Sequence, residues 1–251
     1  MRRTLIWTIV ATILLVIILK LSAATTNGVF YVDTPLECHI VSQNGAISTN
    51  ALSAGKTYAI SDTSIAEMHV PNKTVFYFSD GPAIEAGAKS IFSVNVFDQE
   101  TTNLNAAPRK AVFGTHNIAL TLNQGEFSIV YKSATNSSFN ITTPFVSYQI
   151  ESGRFLFRIT EKSSIVFVID GSLTMLDGKD KNKNAVKGDL LFAIPYDDPL
   201  SGVTDKIMTS TRQLKAEELG KFTSPFLSSS FDHKEVEFVV INKNVIGIWM
   251  K

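Results

Sequence analysis

A chain of 251 residues, 45% hydrophobic and 18% charged, is long enough for one sizeable domain and too apolar to be disordered throughout. Its 23 basic and 23 acidic residues balance, and three of the basic ones, Arg2, Arg3 and Lys20, fall in the first 24 residues, where there is no acid. The remainder, 20 basic against 23 acidic, has no basic footprint, which excludes a surface built to hold nucleic acid.

The N-terminus reads Met1-Arg2-Arg3, then an uncharged run from Thr4 to Leu19, then Lys20. A basic start before an apolar stretch is the pattern of a secretory signal or signal anchor. The arginines stay on the cytoplasmic side, so the rest is exported. Sixteen helical residues reach roughly 24 Å, short of a bilayer core of roughly 30 Å. Lys20 can snorkel and let Leu21 to Ala24 complete the span. Alternatively Ser22-Ala23-Ala24 is a cleavage site, with the cut after Ala24. The expected location is the cell envelope. Either residues 1–24 anchor the chain in the inner membrane with the domain in the periplasm, or cleavage releases it there. Cys38 is the only cysteine. It lies too far past the apolar run for lipid attachment and is expected to be a small buried residue.

From Gly28 to Pro195 the chain reads as one strand after another. Val75 to Phe78 is apolar on both faces, as a central strand covered on both sides would be. Phe92, Val94 and Val96 alternate with Ser93, Asn95 and Phe97. Ile118, Leu120 and Leu122 form the next buried face, then Phe127, Ile129 and Tyr131, then Phe155, Phe157 and Ile159. Ile165 to Ile169 is a second strand apolar on both faces. Turns are expected at Asn44-Gly45, Asp80-Gly81-Pro82, Gln124-Gly125 and Asp177-Gly178. Asp170-Gly171 is read as a tight hairpin between Ile165–Ile169 and Ser172–Leu176. The fold class is all-β, a mainly antiparallel sandwich or roll. Thr34-Pro35 leading to Gly55–Ile60 is echoed by Thr143-Pro144 leading to Gly188–Ile194, which suggests repeated roll units.

After Pro199 the character changes. Gln213 to Phe222 predicts a short amphipathic helix. Glu235 to Ile241 and Val245 to Met250 predict a closing hairpin. Residues 25–200 are therefore read as the β domain and 201–251 as an appendage packed on it, too short to hold a core of its own.

Several of these steps together resemble a known family. Thr74–Val94 looks like a strand, an Asp-Gly-small turn and a second strand of the FecR-type periplasmic domain, named for regulators of iron-citrate uptake. Gln124-Gly125-Glu126-Phe127 resembles the Gly-Glu step opening its second half. Thr143-Pro144, Gly153–Ile159, Val166–Leu176 and Lys187-Gly188-Asp189 resemble its later steps. The resemblance covers residues 28–195 and implies an all-β domain in the periplasm. Two features depart from the pattern. Arg154 follows Gly153 where Thr is usual. Only Met1 to Arg3 precede the apolar run, whereas the founding regulators carry a cytoplasmic segment that contacts a sigma factor. Direct sigma-factor control is therefore not expected.

Catalytic, cofactor-binding and metal-binding residues are not predicted. There is no Gly-x-Ser-x-Gly elbow, and His39, His69, His116 and His233 are scattered without ligand spacing. Asp177 to Asn184 places Asp180, Asn182 and Asn184 at alternate positions like a calcium loop. Ala185 and Leu191 occupy the turn and bidentate positions, and three lysines intrude, so a solvated hairpin tip is expected. Asn72-Lys73-Thr74, Asn136-Ser137-Ser138 and Asn140-Ile141-Thr142 are glycosylation sequons by chance composition. The expected function is a non-catalytic envelope module for binding, scaffolding or signalling, with an envelope protein or glycan as partner. The alternatives are an envelope enzyme or carbohydrate-active β protein, marked by clustered carboxylates or an aromatic-lined groove, and a small-ligand carrier with an interior cavity.

Overall fold

A computed structural model describes residues 24–42, 45–60, 64–101, 109–133, 136–176, 182–198, 203–214, 236–241 and 244–249. The N-terminal anchor or signal lies outside these residues. So does the predicted helix, except that Gln213 ends a strand and Leu214 follows it. Among the described residues there is no helix, and hence none long and apolar enough to cross a membrane.

The strands, in chain order, begin with β1 (Ala24–Asn27), β2 (Val29–Val32), β3 (Leu36–Ser42), β4 (Ile47–Leu52), β5 (Lys56–Ala59) and β6 (Ser64–Val70). Then come β7 (Thr74–Phe78), β8 (Ala83–Ala86), β9 (Ser90–Thr101), β10 (Arg109–Lys110), β11 (Phe113–Tyr131) and β12 (Ser138–Thr142). The last are β13 (Ser147–Thr160), β14 (Ser163–Leu176), β15 (Lys183–Val186), β16 (Asp189–Asp198), β17 (Val203–Gln213), β18 (Val236–Ile241) and β19 (Asn244–Trp249). All but β10, β18 and β19 join one large sheet, which runs from β17 through β16, β14, β13, β12 and β11 to β8, β7, β2 and β5. The pairings are antiparallel except β11 with β12, which is parallel. The first part of the C-terminal segment, β17, continues the large sheet along β16. β18 and β19 form a hairpin, and β18 pairs with Arg109–Lys110 of β10.

Two expected turns are not turns. Gln124-Gly125 lies inside β11 and Asp170-Gly171 inside β14, each an unbroken strand. The reason is visible in the burial. In β11 the inward residues are Ile118, Leu120 and Leu122, then Phe127, Ile129 and Tyr131. Even numbers give way to odd, and the change falls at a register shift beside Gly125. β13 changes from Tyr148 and Ile150 to Phe155, Phe157 and Ile159, and β14 from Val166 and Val168 to Leu173 and Met175. In that pair, register shifts flank the stretch where Gly153 faces Gly171. A bulge lets a strand bend sharply and re-aim its side chains. Each long strand thereby stays hydrogen-bonded while it turns a corner of the core. A glycine before a polar residue signals this bend as readily as it signals a hairpin.

The same device corrects β9. Phe92 and Val94 point inward as expected, but Phe97, not Val96, is the next buried residue. The shift falls at Asn95, between the pairs Ala119–Val96 and Leu120–Val94. It also turns Gln99 inward. There the Ser79 hydroxyl donates to Gln99 Oε1 at 2.5 Å, and Gln99 Nε2 donates to the Ser79 carbonyl at 2.6 Å. The buried amide is thus satisfied.

One large core cluster links nearly all of these inward positions. Its aromatic rings pack edge to face, as Phe76 does on Phe92 at 4.9 Å and Tyr148 on Phe157 at 5.6 Å. Burial pushes the Tyr148 phenol above its ordinary range, partly offset by its hydrogen bond with Ser164. The two strands read as apolar on both faces are so. Phe76 and Phe78 enter the main core, while Tyr77 joins Val29, Tyr31, Ala83 and Ala111 on the other side. Val166 and Val168 enter the core, while Phe167 packs with Leu156 and Leu190. The glycines of the internal echo share a contact. Gly55 N–H donates to the Val32 carbonyl and Gly188 N–H to the Val168 carbonyl, both at 2.8 Å.

Cys38 is buried on β3. Burial, with the Glu67 carboxylate adding to it, pushes its thiol up to about 11. The thiolate is the reactive species. Folded protein is therefore expected to react with a disulfide reagent such as dithionitrobenzoate only at the rate of opening, and unfolded protein at once. Fast stoichiometric labelling of the native protein at neutral pH would place Cys38 at the surface.

Candidate functional site

An open groove of about 760 Å³ crosses the ends of β3, β4, β6 and β9. Its apolar lining includes Pro35, Leu36, Ala51, Leu52, Val70 and Ile91, with Pro71 at the rim. Leu36, Leu52 and Val70 are buried edges of the core, and Pro35 and Pro71 stand exposed at the rim. The polar lining is Glu37, His69, Lys89, Ser90 and Gln124. Lys89 is held in a left-handed turn conformation, φ 64°, with its N–H donating to the Val70 carbonyl at 2.7 Å. That turn fixes where the ammonium stem leaves the backbone.

A second groove, of about 460 Å³, shares Lys89 and Gln124 with the first and continues along Gly125, Glu126, Arg158 and Lys162. Arg158 Nε donates to Glu126 Oε1 at 2.9 Å.

The strands beside the groove gather two of the scattered histidines. Glu37 lies opposite His69 and His39 opposite Glu67 in the β3–β6 ladder, so all four share one face. The His39 and His69 rings stand 4.3 Å apart, and His69 Nε2 is 2.7 Å from Glu67 Oε1. Sequence spacing hides this pairing, because residues 30 apart meet only once the strands are in register. Even so, among the described residues no three His, Cys, Asp or Glu side chains are gathered to hold a metal ion.

His116 is buried on β11. Its Nε2 is 2.9 Å from the Tyr131 hydroxyl. Its Nδ1 has no hydrogen-bond partner among the described residues, and the Asp80 carboxylate is 3.8 Å away. This is a core histidine, away from both grooves. His233 lies outside the described residues. Of the calcium-like loop, Asn184 sits in β15, and its side-chain oxygen accepts from the Thr174 hydroxyl at 2.9 Å. The remaining loop residues up to 181 lie outside the described residues.

The fold defines the class of protein: an all-β domain built on one large, mainly antiparallel sheet with an open groove on its edge. Residues 57–174 match the family described as FecR protein. Two crystal structures of a candidate anti-sigma factor from Parabacteroides distasonis are similar in arrangement. One, at 2.50 Å resolution, is 10% identical, covers 62% of this chain and 64% of its own, and has a TM-score of 0.41. The other, at 1.65 Å, is also 10% identical, covers 63% and 59%, and has a TM-score of 0.36. The chain thus spans less than two thirds of their length. No curated protein matches it.

Proposed function

We propose that the chain is a non-catalytic regulatory module of the bacterial cell envelope that relays a signal by binding a protein partner at the groove across β3, β4, β6 and β9. The family match over residues 57–174 carries this reading. The groove chemistry supports it. An apolar floor with Glu37 and Lys89 at its rim suits protein side chains. The same lining contains no Trp, Tyr or Phe, so a sugar would find no stacking platform there. The arginine pair before the apolar N-terminal run supports inner-membrane attachment with the domain in the periplasm. The C-terminal hairpin is part of that exported domain.

Photocrosslinkers placed at Glu37 and Lys89 in cells are expected to yield a discrete protein adduct. Charge reversal of the other rim residue, Lys89→Glu or Glu37→Arg, should remove it. No adduct at either position, or hydrolysis of peptidoglycan by the purified chain, would overturn the proposal. A C-terminal alkaline phosphatase fusion should be active and a fluorescent-protein fusion dark; the reverse would sink the export claim.

A further inference from the structure

β4 is an unprotected sheet edge. Among the described residues it pairs with β3 alone. Native edge strands are usually guarded by charge, proline, a bulge or a cover. β4, with the sequence ISTNAL, has no charged residue and no proline, and its pairing with β3 has no bulge. Among the described residues nothing covers it either. Ile47 through Ala51 are all exposed, Ile47 to 67%. The other long edge, β17, carries Arg212. β4 also lies outside the segment that matches the FecR family.

We infer that β4 pairs, antiparallel, with β4 of a second copy of this chain. The neutrality of the strand selects that partner. Pairing identical strands about a two-fold axis sets each residue against its own symmetry mate or a near neighbour. Like charges there would repel, and β4 has none. An axis normal to the sheet keeps outward residues facing outward. Centred on the exposed run, it sets Thr49 against Thr49 of the second copy and Ile47 against Ala51. The one bulky exposed side chain meets the smallest, and a Thr–Thr pair sits at the centre, a favourable cross-strand combination. The nearest ionisable groups, Glu37 and His39, lie on β3, one strand back from the joint. Six residues of edge are far below a standard interface, so the association is weak, in the micromolar-to-millimolar range.

The test uses the full chain. Sedimentation equilibrium should show a reversible monomer–dimer equilibrium. Thr49→Lys and Thr49→Glu should each weaken it several-fold, and an equimolar mixture of the two should restore it. With Cys38 the only native cysteine and buried, Thr49→Cys offers one accessible thiol. Directly opposed Cβ atoms lie roughly 4.5–5.5 Å apart, so a short bis-maleimide should link that variant to a dimer and leave Ser210→Cys on β17 unlinked. A wild-type monomer up to its solubility limit overturns the inference. So does a dimer that Thr49→Lys and Thr49→Glu leave unchanged, or equal linkage through Ser210→Cys.

Discussion

Replacing Phe157 with alanine is expected to cost roughly 3–5 kcal/mol of unfolding free energy. Its side chain is fully buried on β13, between Phe127 of β11 and Val166 of β14 in the ladder, with the Tyr148 ring edge-on at 5.6 Å. Truncation removes the transfer free energy of a benzyl group and leaves a void bounded by rigid strands. Strands hydrogen-bonded on both sides have little freedom to close it, so the upper part of the range is expected. Phe157→Leu, which nearly conserves volume, should cost less than about 1.5 kcal/mol. Urea unfolding of the three proteins measures both differences. A Phe157→Ala cost below about 1 kcal/mol would mean that this face of β13 does not point into a close-packed core.

Gly171→Ala should be nearly as damaging, although it adds only one methyl group. Gly171 has φ +83°, and a Cβ there would run into the Ser152 carbonyl and the Gly153 Cα of the facing strand. A left-handed non-glycine residue costs about 1–2 kcal/mol. Overpacking against backbone costs about 1–3 kcal/mol more. Together the loss is roughly 2–5 kcal/mol. Gly45 is the internal control. It has a similar φ of +80°, but no atom lies within 4 Å of where its Cβ would stand. Gly45→Ala should therefore cost the conformational part alone. If both substitutions have the same small effect on the urea midpoint, the close approach of β13 and β14 at this corner is wrong.

These two residues mark how far the sequence could be read. Phe157 was legible because alternation has a period of two and needs only its near neighbours. The same holds for Phe127, Ile129 and Tyr131. Gly171 was legible as a special backbone position but not as the right one. Asp-Gly between two apolar runs is compatible with a two-residue hairpin and with a bulge that bends one continuous strand. Only the pairing partner distinguishes them, and Gly153 is 18 residues away. Val96 was misplaced for the same reason, since the bulge at Asn95 inverts the face of every later residue in β9.

The sequence by itself determined the all-β class, the buried faces between bends and the resemblance to the FecR family, all of which rest on local alternation and short turn steps. The groove, the close approach of His39 and His69, the parallel β11–β12 pair and the bare edge of β4 were decided by tertiary structure alone. Each depends on which strand lies beside which and in what register. That choice is settled by burying one shared core across strands tens of residues apart, a quantity that no local window of sequence contains.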